Sequence, residues 1–145
     1  TITSGASGSG NGTTNYTAAA NTSTSSRTGT LTVAGRTVTV TQAGAACVFT
    51  ATPTTQSIVS GGGTASVAVT TTAGCAWTAT SGASWLTITS GASGSGNGTT
   101  NYTAAANTST SSRTGTLTVA GRTVTVNQAG SGPLAPTNLR IVVGP

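Results

Sequence analysis

Apolar residues in this chain alternate with threonine and other small polar residues in short runs. From Thr64 to Thr71, Ala65, Val67 and Val69 share one face. From Cys75 to Ser81, Cys75, Trp77 and Ala79 do the same, and from Cys47 to Ala51 the shared face is Cys47, Phe49 and Ala51. Leu117 with Val119, and Val124 with Val126, repeat the pattern with Thr between them. A period of two with β-branched residues predicts half-buried strands. Ala120-Gly121 sits between two such runs and predicts a tight hairpin turn, with Gly free to take positive φ. Gly61–Gly63, Ser90–Gly98 and Thr108–Ser112 read as punctuating loops. No segment carries a 3.6-residue apolar period. The expected class is all-β.

An internal repeat sets the organisation. Residues 87–130 repeat residues 1–44 at an offset of 86, with 43 of 44 positions identical and Thr41 replaced by Asn127. The repeating unit is therefore 86 residues long. Residues 45–130 make one complete unit, 1–44 are the C-terminal half of another, and 131–145 form a different tail, a linker or a donor strand. About seven short strands per unit at this spacing point to an immunoglobulin-like β-sandwich. Thr41 and Asn127 fall on the threonine face of the last strand, where solvent tolerates a polar exchange. The half-unit leaves Val33, Val38 and Val40 without the strands that would cover them. Completion by a neighbouring molecule through strand addition is one expectation, with Leu139, Ile141 and Val143 as the donor strand. A boundary cut through a longer array is the other. The chain opens at Thr1 with no signal-peptide pattern, so it is expected to be a processed chain or a slice of something longer.

Composition narrows the chemistry sharply. The 145 residues include 36 Thr and 18 Ser but no Asp, Glu or His, and all five basic residues are Arg. General acid–base catalysis draws nearly all its groups from His, Asp, Glu and Lys. Carboxylate and imidazole metal sites are excluded for the same reason. No catalytic, cofactor or metal residue is therefore expected, and the chain reads as no enzyme. The five arginines, Arg27, Arg36, Arg113, Arg122 and Arg140, are scattered, whereas phosphate recognition requires a concentrated basic face, so no nucleic-acid partner is expected. No run approaches the roughly 20 apolar residues that span a bilayer, so no membrane insertion is expected. The Gly94-Ser95-Gly96-Asn97-Gly98 stretch lacks the Lys of a phosphate-binding loop and reads as plain loop.

On the strand reading, Cys47 and Cys75 both point inward beside Phe49 and Trp77. A disulfide between them would brace a core of light side chains and imply an oxidising compartment; two buried free thiols are the alternative. Trp77 shares the inward face with Cys75 and reads as core. Trp85 and Tyr102 are the candidate glycan contacts, with core packing as the competing reading for each.

The complete unit also resembles the BACON family of bacterial immunoglobulin-like domains. The matching features are Gly74-Cys75-Ala76-Trp77, then Ser84-Trp85-Leu86-Thr87-Ile88, then the Gly-rich stretch 90–98. Asn107, the strand from Arg113 to Val119 and the segment from Val124 to Gly130 follow in order. The resemblance covers 45–130, and 1–44 repeats its second half. It implies a module of a secreted or surface bacterial protein, and the family is named for a carbohydrate-binding role. No residue-level ligand motif carries over. The tail from Pro133 to Val143 resembles the opening of a fibronectin type III module but is too short to be one. The expected function is a non-enzymatic, extracellular structural repeat protein that self-associates into a stalk, fibre or filament on a bacterial surface. The alternative is a carbohydrate-binding or adhesion module with a polysaccharide partner.

Overall fold

The computed structural model describes residues 1–132. The expected donor strand, Leu139, Ile141 and Val143, lies outside the described residues. The chain divides into two compact units, Thr1–Val48 with Thr71–Cys75, and Phe49–Thr70 with the residues from Ala76 onward.

The first unit carries four strands: β1 (Ile2–Ser4), β2 (Asn15–Tyr16), β3 (Arg27–Val33) and β4 (Arg36–Gln42). They form two separate antiparallel pairs, β1–β2 and β3–β4. The second unit carries nine strands among the described residues. These are β5 (Thr50–Thr52), β6 (Thr55–Ile58), β7 (Gly63–Thr70), β8 (Ala76–Ser81), β9 (Leu86–Ser90), β10 (Ser93–Ser95), β11 (Gly98–Ala104), β12 (Arg113–Val119) and β13 (Arg122–Gln128). One sheet has the order β5-β7-β11-β9 and the other β10-β8-β12-β13-β6. The protein is an immunoglobulin-like, all-β sandwich. The strands beyond the expected seven are short: β6 has four residues and β10 has three.

The period-two pattern places the core. Val67, Val69, Trp77, Ala79, Leu117, Val119, Val124 and Val126 are buried together, with Tyr102 and Leu86. Thr114, Thr116, Thr118 and Thr123 face outward and are exposed. Asn127 is exposed too, and its Oδ1 accepts a 2.9 Å hydrogen bond from Thr114 Oγ1. The β12–β13 turn is closed by Ala120 at φ 51° and Gly121 at φ 72°, the two positive values that a right-twisting hairpin needs.

Two sequence expectations change. Residues 90–98 are not plain loop, because β10 pairs with β8 and Gly94 lies opposite Trp77. Glycine is required there: an added Cβ would sit 2.4 Å from the indole at Gly94 and 2.6 Å from it at Gly98. Cys47 does not point into the core. It is exposed and precedes β5, whereas Cys75 is buried. The two sulfurs are nonetheless bonded, at 2.01 Å.

The repeat makes a natural substitution-free experiment. Strands β3 and β4 pair in the same register as β12 and β13, Leu31 opposite Val38 as Leu117 is opposite Val124. Leu117, Val119, Val124 and Val126 are fully buried, while Val38 is 43% exposed and Leu31, Val33 and Val40 are only half-buried. The hairpin is the same and the sequence differs only at exposed Thr41 and Asn127; what differs otherwise is the covering sheet. Leu117→Ala is therefore expected to destabilise the complete sandwich by about 3 kcal/mol, through lost burial and a residual cavity. Leu31→Ala is expected to leave the same transition unmoved. Urea denaturation followed by tryptophan fluorescence checks both, since the only two tryptophans, Trp77 and Trp85, lie in the complete unit.

Candidate functional site

In the complete unit, β6 closes the edge of the second sheet. It runs parallel to β13, with Thr125 opposite Thr55, Val126 opposite Gln56, Asn127 opposite Ser57 and Gln128 opposite Ile58. Beyond the ladder itself, backbone carbonyls of β6 and its flanks accept several hydrogen bonds. Thr54 O accepts from Thr125 N at 2.9 Å, Ile58 O from Ala129 N at 3.0 Å and Ser60 O from Asn107 N at 2.7 Å. The Gln128 amide donates to Val59 O at 3.1 Å, to Ser60 O at 3.4 Å and to Ala105 O at 2.9 Å. One side chain joins in: Gln56 Oε1 accepts from the Tyr102 hydroxyl. This strand therefore satisfies donors that the second half of the unit would otherwise bury unpaired.

Around that edge lies a polar bracket that the sequence patterns did not reveal. Arg113 Nε donates to Gln128 Oε1 at 2.8 Å, and its Nη2 donates to Ala105 O at 2.7 Å and Ala106 O at 3.1 Å. Buried Asn107 donates both amide protons, to Ser111 O at 2.9 Å and Ala129 O at 3.0 Å. Gln128 continues the inward face of Val124 and Val126 and Asn107 stands in a polar loop, but neither local sequence names the carbonyls that each side chain meets. Their signal is three-dimensional.

The candidate glycan contacts sit in this same region. Tyr102 is fully buried, so its ring offers no face to a sugar; the reading of it as a glycan contact is corrected on that ground. Burial raises its hydroxyl pKa above the ordinary 10.0, because the charged form is the one desolvation penalises. Trp85 is half-buried, with the Arg113 guanidinium 4.3 Å from its ring centroid, a cation–π stack. A Cβ at Gly115 would lie 2.8 Å from the Trp85 ring, so that edge is packed as well. Trp77 is buried, and its Nε1 donates to Gly96 O at 2.8 Å.

The half-unit keeps the bracket, and among the described residues no strand closes its β4 edge. Arg27 Nε donates to Gln42 Oε1 at 2.9 Å, and Asn21 donates to Ser25 O at 2.8 Å and Ala43 O at 3.0 Å, as in the complete copy. Tyr16, the twin of Tyr102, is 46% exposed. A groove of about 550 Å³ opens along this face, lined by Tyr16, Arg27, Gly29, Leu31, Val40 and Gln42 among others. Strand β2 has two residues where β11 has seven; β11 pairs with β7 on its far side, and β2 has no such neighbour among the described residues. The site is a sheet edge above a groove of mixed polar and apolar lining.

The family described as "Viral BACON domain" matches residues 48–133, and that described as "Putative binding domain, N-terminal" (BACON) matches residues 1–43. The chain belongs to the BACON family. Residues 1–43 repeat 87–129, which lie within the first match. A solved structure described as "Bacteroides ovatus GH5 xyloglucanase in complex with a XXXG heptasaccharide" is similar at a TM-score of 0.51 and 20% identity. That match covers 66% of this BACON chain and 23% of the xyloglucanase chain, and at such identity the likeness is one of fold. No curated protein sequence matches the chain. Among the described residues no helix is long and apolar enough to cross a membrane, and no cluster of His, Cys, Asp or Glu could hold a metal ion.

Proposed function

We propose that this BACON chain is a non-enzymatic, extracellular structural module that joins copies of itself into a stalk or fibre by strand complementation. One observation carries the reading: Leu117, Val119, Val124 and Val126 are fully buried, whereas their twins Leu31, Val33 and Val40 are half-buried and Val38 is exposed. An apolar face with a preformed edge gains free energy when covered, at roughly 25 cal/mol per Å² of apolar surface removed from water. A contact between unlike surfaces of identical chains propagates head to tail. The lack of Asp, Glu, His and Lys supports a mechanical role over a catalytic one. The Cys47–Cys75 bond supports an oxidising, extracellular setting, such as a bacterial surface. Light scattering and negative-stain microscopy of the purified chain at rising concentration test the reading. Fibres with a regular axial repeat are expected; a monodisperse 13.7 kDa monomer at every concentration would overturn it.

The family's description as a binding domain favours a second reading, a carbohydrate-binding or adhesion module. Within the complete unit Trp85 is the aromatic side chain such a module would use. Retardation of the chain in polysaccharide-containing gels, lost on Trp85→Ala, is the expected mark of that role.

A further inference from the structure

The tail beyond the complete unit is written in the pattern of β6. Residues 136–145 read Pro-Thr-Asn-Leu-Arg-Ile-Val-Val-Gly-Pro, and residues 53–62 read Pro-Thr-Thr-Gln-Ser-Ile-Val-Ser-Gly-Gly. At this offset of 83, five of ten positions are identical: Pro, Thr, Ile, Val and Gly. The differences follow the faces of β6. Half-buried Gln56 and Ile58 correspond to Leu139 and Ile141, and exposed Ser57 corresponds to Arg140. Two residues before the shared Pro, buried Ala51 corresponds to Leu134.

The half-unit presents the edge that such a strand fits, since β4 is the twin of β13 and β13 is the strand that β6 pairs with. We infer that the segment 136–143 of one chain adds to β4 of a second copy, parallel to it, in the register that β6 adopts on β13. Transposing the observed register puts Asn138 opposite Thr39, Leu139 opposite Val40, Arg140 opposite Thr41 and Ile141 opposite Gln42. The chemistry matches on both levels. Most of the acceptors that β6 supplies are backbone carbonyls, which any residue sequence provides. The transposed carbonyls of Thr137, Ile141, Val142 and Val143 would serve Thr39 N, Ala43 N, the Gln42 amide and Asn21 N. Leu139 replaces the polar Gln56 with an aliphatic chain suited to the exposed Tyr16 ring, and Arg140 stays in water. A one-residue slip would turn Arg140 into the groove and Leu139 out of it, so the register is specified.

This inference rests on the self-association reading, and the test separates the two. The purified chain is compared with Leu139→Arg/Ile141→Arg and with Arg140→Ser, and each fold is checked by the tryptophan-monitored denaturation transition, which all three are expected to share. The double variant is expected to raise the concentration needed for assembly by roughly a hundredfold, the order set by losing two buried aliphatic side chains. Arg140→Ser is expected to change it little. A synthetic peptide of residues 133–145, in excess, is expected to cap the half-unit and dissolve the fibres. A Thr41→Cys/Arg140→Cys variant should crosslink between chains, whereas Thr41→Cys/Leu139→Cys should not. Fibres that persist in the double variant and ignore the peptide would overturn the strand assignment while leaving self-association standing. A wild-type chain that stays monomeric would overturn both.

Discussion

Trp77→Ala is expected to destabilise the complete sandwich by about 4 kcal/mol, within the range for deleting a buried aromatic side chain. The loss has three parts. The indole is buried, so its removal forfeits transfer energy and leaves a cavity. Its Nε1 donates to Gly96 O, and without it that carbonyl loses a buried donor. Finally, Gly94 and Gly98 lie directly on the ring, so β10 loses the surface it packs on. Urea denaturation followed by far-ultraviolet circular dichroism, with Trp85 fluorescence as a second probe, measures the change. A loss below about 1 kcal/mol would contradict the packing of the glycine strand on the indole.

Removing the disulfide is expected to cost about 3.5 kcal/mol, through the chain entropy regained when the loop between Cys47 and Cys75 is opened. The cysteines are 28 residues apart, and the loop they close carries β5, β6 and β7. Those strands cover the second half of the unit, so loosening them loosens the core from one side. The midpoint of denaturation is expected to fall in reductant and to fall equally in Cys47→Ala/Cys75→Ala. An unchanged midpoint in both would mean that the bond constrains little in the unfolded chain.

Much of the sandwich is legible in the alternation of Val, Leu and Ala with Thr. The β12–β13 hairpin can be read from Leu117, Val119, Val124 and Val126 with Ala120-Gly121 between them, and the structure has it over those residues. The cysteine pairing is legible because few residues compete for it, although Cys47 reaches the bond from outside a strand. Strand β10 is not legible. Its Ser-Gly-Ser sequence carries no apolar period, and the reason for its glycine is the indole of Trp77, well back in the chain. Strand β6 is half-polar, and the purpose of Gln56 appears only once Tyr102 is beside it. Trp85 shows the same limit: its exposure is set by Arg113, which no local pattern connects to it. Short-range periodicity finds faces. Side chains chosen for a distant partner leave no mark at that range.

The outward rows of threonine on β12 and β13 have a consequence for the medium the protein can tolerate. Acid unfolds most proteins by protonating carboxylates that the native state needs charged, and this chain has none among its side chains. Added salt weakens attractions between exposed ions, and a hydroxyl coat holds few of them to weaken. The threonine surface meets vinegar or seawater in the same chemical state, which suits a protein that has no control over the water it stands in.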